Sequence, residues 1–332
     1  MSSARPKIWV DTTSYQAAHD RLSAWAEITI APETVEPGWI DALRSADGVV
    51  VLARHRFDAA AFSAAPGLRI VARLGAGYDN VDVPAATAAG VCVTHTPGAS
   101  AGSVAEHTFA LILGWQRKLR EADEMVRRGN WGARRTLTAP DLADLTLGIV
   151  GLGRIGCRVA SIATQGFGMR VLGYDPNLRW ETLTERVKEP VSSLGELLSR
   201  SDIVTLHVPA MDETQGMIDA KTLAQMRPGA LLVNTSRGAV VNQRDLANAL
   251  EAGAIGGAAL DVFEPEPPAV DDRLFRAPGL LLSPHTAGLS TGALRRIGEE
   301  AALQVHQVLH NVRPEHLLNP EVWETRRRGG GR

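Results

Sequence analysis

The stretch Leu147-Gly148-Ile149-Val150-Gly151-Leu152-Gly153-Arg154-Ile155-Gly156 constrains the fold more than any other part of the chain. Its first four residues are apolar or small, as a buried parallel strand requires, and Gly-x-Gly-x-x-Gly follows at once. A helix-compatible run continues through Arg158 to Ala163. In such a strand–turn–helix, Gly151 permits the tight turn, Gly153 lets backbone approach a pyrophosphate, and Gly156 lets helix pack on strand. Phosphate oxygens would meet the free N–H groups and positive dipole end of the helix. In a chain with 32 glycines, one such match alone carries little weight. The next strand, from Arg170, adds the second half of the pattern. It ends in Asp175, about 20 residues beyond Gly156, where a carboxylate can accept hydrogen bonds from an adenosine ribose. A bound dinucleotide is therefore expected here.

The 332 residues allow two domains of ordinary size. Apolar content of 45% and charged content of 22% exclude a disordered chain or a coiled coil. A formal net charge of −2 gives no electrostatic case for nucleic acid or a membrane surface. The sequence shows neither an 18-residue apolar run nor a charged-then-apolar leader, so a cytoplasmic protein without a secretory signal is expected. Cys92 and Cys157 stand far apart and are expected as reduced buried thiols, with no disulfide and no metal. The tail Arg326 to Arg332 is expected to be a frayed, solvated end.

Five short β runs (Lys7–Val10, Ala26–Ile30, Gly48–Leu52, Arg69–Ala72 and Val91–Thr94) alternate with helical ones at Gln16–Trp25, Pro37–Ser45, Ala59–Ala65 and Pro84–Ala89. Alternation of this kind predicts a parallel sheet wrapped by helices, which binds ligands at the carboxyl ends of its strands. Two loops there are unusual. Gly75-Ala76-Gly77 can point N–H groups at a carboxylate, or simply turn into a helix. Arg54-His55-Arg56 concentrates positive charge, although such a loop alone is more often merely solvated. A long helix is predicted from Ser103 to Arg128, bridging two domains, because a second βα series begins only at Thr146. Trp131, Arg134 and Arg135 in the following connection suit packing or a subunit contact.

The second series adds strands at Ile203–Val208, Ala230–Asn234, Gly257–Val262 and Leu280–Ser283, a helix at Asp245–Ala252, and a last helix at Thr291–Asn311. Its strand ends carry His207, Thr235-Ser236-Arg237-Gly238, Asp261 to Glu266 and Pro284 to Gly288. Hydride exchange with a nicotinamide needs a group that holds the substrate, a charge that polarises its carbonyl, and an acid. Arg237 suits the first two, since a guanidinium can grip a carboxylate at two points and keeps its charge. His285 suits the third, and Glu266 would fix its tautomer and keep the imidazolium available. Singly, each has a plainer role: Arg237 as a salt-bridge partner, Glu266 as a solvated acid, His285 as a strand-end hydrogen bonder.

The motifs resemble those of the D-isomer-specific 2-hydroxyacid dehydrogenase family, most of all the catalytic core of its phosphoglycerate dehydrogenases. The matching pieces are Gly75 to Asp82, Ser103-Val104-Ala105-Glu106, Gly151 to Gly156, Tyr174-Asp175-Pro176, Asn234 to Gly238, Ala258 to Phe263 with Glu266-Pro267, and Pro284-His285. The resemblance implies two Rossmann- or flavodoxin-like domains with parallel sheets and an active site in the interdomain cleft. It implies a discontinuous substrate domain (1–99 and 286–332) around an NAD domain (100–285). It also implies Arg237, Glu266 and His285 as the catalytic set. NAD contacts would come from Gly151, Gly153, Arg154, Ile155, Gly156, Asp175, Val208, Pro209, Thr235, Ser236, Asp261 and Gly288, with Gly75, Ala76 and Gly77 on the substrate. A homodimer through the long-helix region is implied too. Two departures stand out. Thr286-Ala287-Gly288 replaces the two glycines common after the His-x pair, and the chain ends too soon for a regulatory C-terminal domain.

Arg54 aligns with a phosphate-holding position, so oxidation of 3-phosphoglycerate, or of another 2-hydroxy acid with a distal anion, is expected first. Asp175 favours NAD over NADP by repelling a 2′-phosphate. A glyoxylate or hydroxypyruvate reductase, which needs no distal cation, is the enzyme alternative. Formate dehydrogenases share the fold but carry Gln where Glu266 stands. An NADH-sensing module like the C-terminal-binding corepressors is the alternative from another class.

Overall fold

A computed structural model describes residues 5–12, 14–32, 38–177 and 189–328. The chain divides into two compact units, Met1–Ser100 with Leu289–Arg332, and Ala101–Gly288. Each is built on its own all-parallel sheet.

In the first unit, β1 (Lys7–Val10), β2 (Glu27–Ile30), β3 (Gly48–Val51), β4 (Ile70–Arg73) and β5 (Cys92–Thr94) lie in the order β2-β1-β3-β4-β5. Between them run α1 (Gln16–Ser23), α2 (Trp39–Ala42), α3 (Ala59–Ala64) and α4 (Val83–Ala88). Local sequence starts two of these helices. The Asp58 carboxylate accepts the Ala60 and Ala61 N–H groups at α3, and Asp82 accepts Ala85 N–H at α4, which has Pro84 in its first turn. Pro37, expected to open the second helix, lies outside the described residues.

In the second unit the predicted long helix is two. α5 (Ala101–Gln116) ends in a turn at Lys118, whose φ of 49° is left-handed, and α6 (Leu119–Arg127) sets off anew. α5 sinks Phe109, Leu111 and Ile112 into the core with Leu147 and Ile149, whereas α6 buries no residue. The turn therefore separates a core helix from a surface one. Both helices belong to the second unit. The rest comprises β6 (Thr146–Val150), α7 (Arg154–Phe167), β7 (Arg170–Tyr174), β8 (Glu189–Pro190), α8 (Leu194–Arg200), β9 (Ile203–Leu206), α9 (Ala220–Leu223), β10 (Leu231–Asn234), α10 (Gln243–Glu251), β11 (Gly257–Leu260) and β12 (Leu280–Leu282). The sheet order is β12-β11-β10-β9-β6-β7-β8, so the chain reverses direction across the sheet at β6. Ligands of open α/β sheets collect at such a reversal, outside the carboxyl ends of the strands.

The chain then returns to the first unit as α11 (Thr291–Leu309) and α12 (Val322–Thr325). Ile297, Ala301, Val305 and Val308 of α11 share a core with Ile8, Val10 and Ile70. Gly298 lets α11 approach α1, since a Cβ there would lie 2.9 Å from the Ala18 amide nitrogen. The basic tail is not frayed where it is described. Arg326 is buried and stacks 3.5 Å over the Trp323 ring, and Arg327 Nη1 donates to Ala65 O at 2.6 Å. Arg327 Nη2 also donates to Phe62 O at 3.4 Å, and these two carbonyls close α3, where no further helical turn supplies donors. Cys92 is buried, and that burial pushes its thiol up to about 11, while Cys157 is half-buried with Sγ donating to Leu152 O. Among the described residues no helix is long and apolar enough to cross a membrane.

Candidate active site

The glycine turn after β6 is shaped by contacts that no larger side chain would allow. Gly151 has a φ of 88°, and a Cβ there would lie 2.7 Å from His207 O and 2.8 Å from Val208 Cγ1. At Gly156 a Cβ would fall 2.0 Å from Gly151 O, so helix and strand approach only through glycine. At Gly153 the same test meets nothing within 4 Å, leaving open space beside the backbone. Gly153 caps α7 without a side chain, so no capping side chain there takes the first N–H groups of this 14-residue helix. Asp175 closes the turn: its Oδ2 accepts Leu152 N–H at 2.9 Å and its Oδ1 accepts Asn177 N–H at 3.0 Å. These residues fit a dinucleotide: Gly153, Arg154 and Ile155 would hold its pyrophosphate and Asp175 its ribose. Val208 and Pro209 follow β9 on the opposite wall of the glycine turn.

His207 is half-buried as a residue, but its ring Nδ1 is buried and unpartnered. Burial lowers its pKa to about 3, so the ring stays neutral.

The turn after β10 presents Arg237. The buried Asn234 side chain organises it, accepting Ser236 N–H at 3.0 Å and Ser236 Oγ–H at 2.8 Å while donating to Arg237 O at 2.9 Å. Arg237 Nη1 donates to Ser236 O at 2.7 Å, which orients the guanidinium. Gly238 packs against the backbone of Phe263, so this turn and the loop after β11 sit together. That loop is pinned by Gln243, which donates to Glu264 O and accepts Glu264 N–H, each at 2.9 Å.

On this loop Glu266 Oε1 accepts Phe263 N–H at 2.9 Å, and Oε2 lies 2.7 Å from His285 Nδ1. Burial alone would raise the Glu266 carboxyl. The bond from His285, the bond from Phe263 N–H and the charges of His285 and Arg237 outweigh it, and the pKa lies below the ordinary value. An ionised carboxylate only accepts, so Nδ1 carries a proton and Nε2 is left to face solvent on a half-exposed ring. His285 has a φ of 54°, a left-handed conformation unusual for a non-glycine residue. Asp261 is fully buried behind it. It accepts Ser283 Oγ–H at 2.6 Å and the Thr286 and Ala287 N–H groups, both at 2.9 Å, while its carbonyl accepts His285 N–H at 2.7 Å. Those bonds keep Thr286 to Gly288 in the second unit. Asn234, Ser283, His107 and Thr108 are the site-supporting residues that sequence reasoning missed.

The remaining candidates belong to the first unit. Arg54 Nη2 donates to Asp11 Oδ1 at 2.8 Å, and Asp11 is fully buried. Asp11 Oδ2 accepts Leu52 N–H at 3.0 Å, and His55 Nδ1 lies 2.8 Å from Asp11 Oδ1, out of line for a hydrogen bond. In the other loop, Gly75 N–H is taken by Thr96 Oγ1 at 2.8 Å. The N–H groups of Ala76 and Gly77 have no partner among the described residues.

A protonatable imidazole held by a carboxylate, beside a guanidinium and a dinucleotide turn in one unit, defines a site for nicotinamide-dependent hydride exchange. Residues 109–287 match the family model described as D-isomer specific 2-hydroxyacid dehydrogenase, NAD binding domain, and the chain belongs to that family. It is 39% identical to a glyoxylate reductase of Korarchaeum cryptofilum, over 97% of this chain and 98% of that protein. It is 34% identical to a D-3-phosphoglycerate dehydrogenase of Methanocaldococcus jannaschii, over 94% of this chain but 59% of that protein. Among solved structures, D-lactate dehydrogenase from Aquifex aeolicus, complexed with NAD and lactic acid, matches with a TM-score of 0.81 and 31% identity, over 92% of this chain and 95% of that one. The cofactor is NAD, and the reaction class is interconversion of a 2-hydroxy acid and its 2-oxo counterpart.

Proposed function

We propose that the protein reduces a short 2-oxo acid without a distal anion, glyoxylate or hydroxypyruvate, and does so through Arg237, Glu266 and His285. A dinucleotide held at Gly153, Arg154, Ile155 and Asp175 would supply the hydride. Arg237 holds the carboxylate and draws electron density toward the carbonyl oxygen. His285 delivers the proton to that oxygen from Nε2, while Glu266 keeps Nδ1–H bonded at 2.7 Å and offsets the positive charge. The N–H groups of Ala76 and Gly77 are the proposed backbone donors to the substrate, Gly75 having spent its own on Thr96.

The observation that carries the choice of acid is the engagement of Arg54. The sequence put 3-phosphoglycerate first because Arg54 could neutralise a phosphate. In the structure that guanidinium compensates the buried Asp11 carboxylate. A phosphate would have to compete with a fixed, desolvated anion. The extent of likeness to the Korarchaeum glyoxylate reductase supports the same choice.

The test is a panel of 2-oxo and 2-hydroxy acids followed by NADH absorbance, with His285→Ala as control. Glyoxylate and hydroxypyruvate should be reduced, with kcat/KM changed less than about threefold by Arg54→Gln. Preferred turnover of 3-phosphoglycerate that collapses in Arg54→Gln would restore the distal-anion reading. Asp175 should hold kcat/KM for NADPH well below that for NADH, because its charge opposes a 2′-phosphate. We also propose a cytoplasmic homodimer, supported by cysteines held as thiols rather than in a disulfide and by the exposed apolar residues Leu119, Val126 and Trp131.

A further inference from the structure

We infer that α5 is the element that positions the catalytic turns, with the adjacent residues His107 and Thr108 as its two points of purchase. The inference rests on the catalytic reading of Arg237, Glu266 and His285 above. His107 Nε2 lies 2.9 Å from Ser283 Oγ, and Ser283 Oγ lies 2.6 Å from Asp261 Oδ1. Donor and acceptor roles in this chain are fixed by chemistry. The Asp261 carboxylate is held by two backbone N–H donors and only accepts, so the single Ser283 hydroxyl proton points at it. Ser283 Oγ must then accept from His107, which places a proton on His107 Nε2. The relay runs His107 N–H to Ser283 O–H to Asp261.

Asp261 passes the constraint on. Its carboxylate binds the N–H groups of Thr286 and Ala287, immediately after His285, and its carbonyl binds His285 N–H. Three consecutive amides are thereby fixed around a residue held at a φ of 54°. A left-handed histidine relaxes unless its surroundings over-determine it. The relay from α5 is a part of those surroundings that the substrate chemistry does not itself require.

Thr108 does the same for the other turn. Its hydroxyl proton goes to Val104 O at 2.8 Å, so at the 3.1 Å contact with Thr235 Oγ1 it is Thr235 that donates. Thr235 opens the turn that carries Arg237. Neighbouring side chains on one helix therefore reach the guanidinium turn and the imidazole turn, and α5 sets the two relative to one another. His107 and Thr108 are positioning residues. A residue in that role changes the chemical step far more than cofactor affinity, because small displacements of reacting groups cost rate steeply.

The test compares His107→Phe, His107→Gln, Ser283→Ala and Thr108→Val in the full-length enzyme. NADH affinity is read by fluorescence, turnover on glyoxylate by absorbance, and the chemical step by the isotope effect with NADH deuterated at the transferred position. His107→Phe and Ser283→Ala should lower kcat about tenfold, raise the isotope effect and leave the NADH Kd within about threefold. His107→Gln, whose amide can still donate to Ser283, should recover most of kcat. Thr108→Val should lower kcat with a raised KM for the 2-oxo acid, through Arg237. Turnover unchanged in His107→Phe and Ser283→Ala, or a Gln variant as poor as the Phe variant, would overturn the inference. His285→Ala separates the two claims. If it alone abolishes turnover, the catalytic reading stands and only the relay has failed; if it leaves turnover intact, the catalytic reading itself is wrong.

Discussion

Asp11 is a single buried carboxylate whose neighbours decide how Arg54 can be used. Removing the arginine leaves the charge with Leu52 N–H and an ill-aligned His55. Breaking a buried ion pair from one side is costly, and since Arg54 is 30% exposed the loss should be about 2 kcal/mol. Urea denaturation should show Arg54→Ala destabilised by that amount and the double variant with Asp11→Asn recovering roughly half of it. An additive pair of losses would mean that the two side chains do not depend on each other. His207 gives a second prediction at this scale. Its folded pKa of about 3 lies below the ordinary histidine value of about 6.5, so in this interval the unfolded chain binds a proton that the native one refuses. Stability contributed by the neutral ring is whole above the upper value and declines as pH falls toward the lower. His207→Gln should therefore lose less Tm between pH values of about 7 and 5 than the wild type does; a parallel decline in both would show that the ring is not the source.

Elements were legible in the sequence where burial and backbone geometry are local matters. The strands β6, β7, β9, β10 and β11 are short apolar runs ending in polar residues, and parallel sheets select just that pattern. The turn at Lys118 was not legible, because Arg117-Lys118 carries no glycine or proline and only the end of the core that α5 fills tells the helix to stop. Catalytic candidates were legible because Arg, Glu and His at strand ends announce themselves. The service of His107, Thr108 and Asn234 was not, because each acts through a neighbour brought near only by packing. The glycine turn makes the sharpest element-scale prediction. Gly156→Ala places a Cβ 2.0 Å from a backbone oxygen that cannot swing away, so Tm and NADH affinity should fall together. Gly153→Ala meets nothing in the protein. It should keep its Tm and still bind NADH at least about tenfold more weakly, because the methyl fills the space meant for the pyrophosphate. Calorimetry and fluorescence titration read both, and a Gly153→Ala enzyme with unchanged Kd would displace the phosphates from this turn.

At the scale of the whole molecule, α6 and the residues after it leave an apolar face in water. Leu119, Val126 and Trp131 are 57%, 60% and 65% exposed in the single chain. A helix with no buried residue gains little stability from its own fold, and covering this face by a second copy would supply the missing burial. Sedimentation should show a dimer, and Val126→Glu should shift it toward monomer without loss of the folded state. A monomeric wild type would leave these residues to another role.

The first unit is assembled from both ends of the chain, with α11 covering one face of a sheet whose strands were all made earlier. On the ribosome, that sheet must wait with Ile8, Val10 and Ile70 uncovered while the whole of Ala101–Gly288 is synthesised. The cofactor-binding unit, contiguous in sequence, can close its own core first. The order of synthesis therefore favours completion of the NAD-binding unit first, with the first unit closing its core only once α11 has emerged.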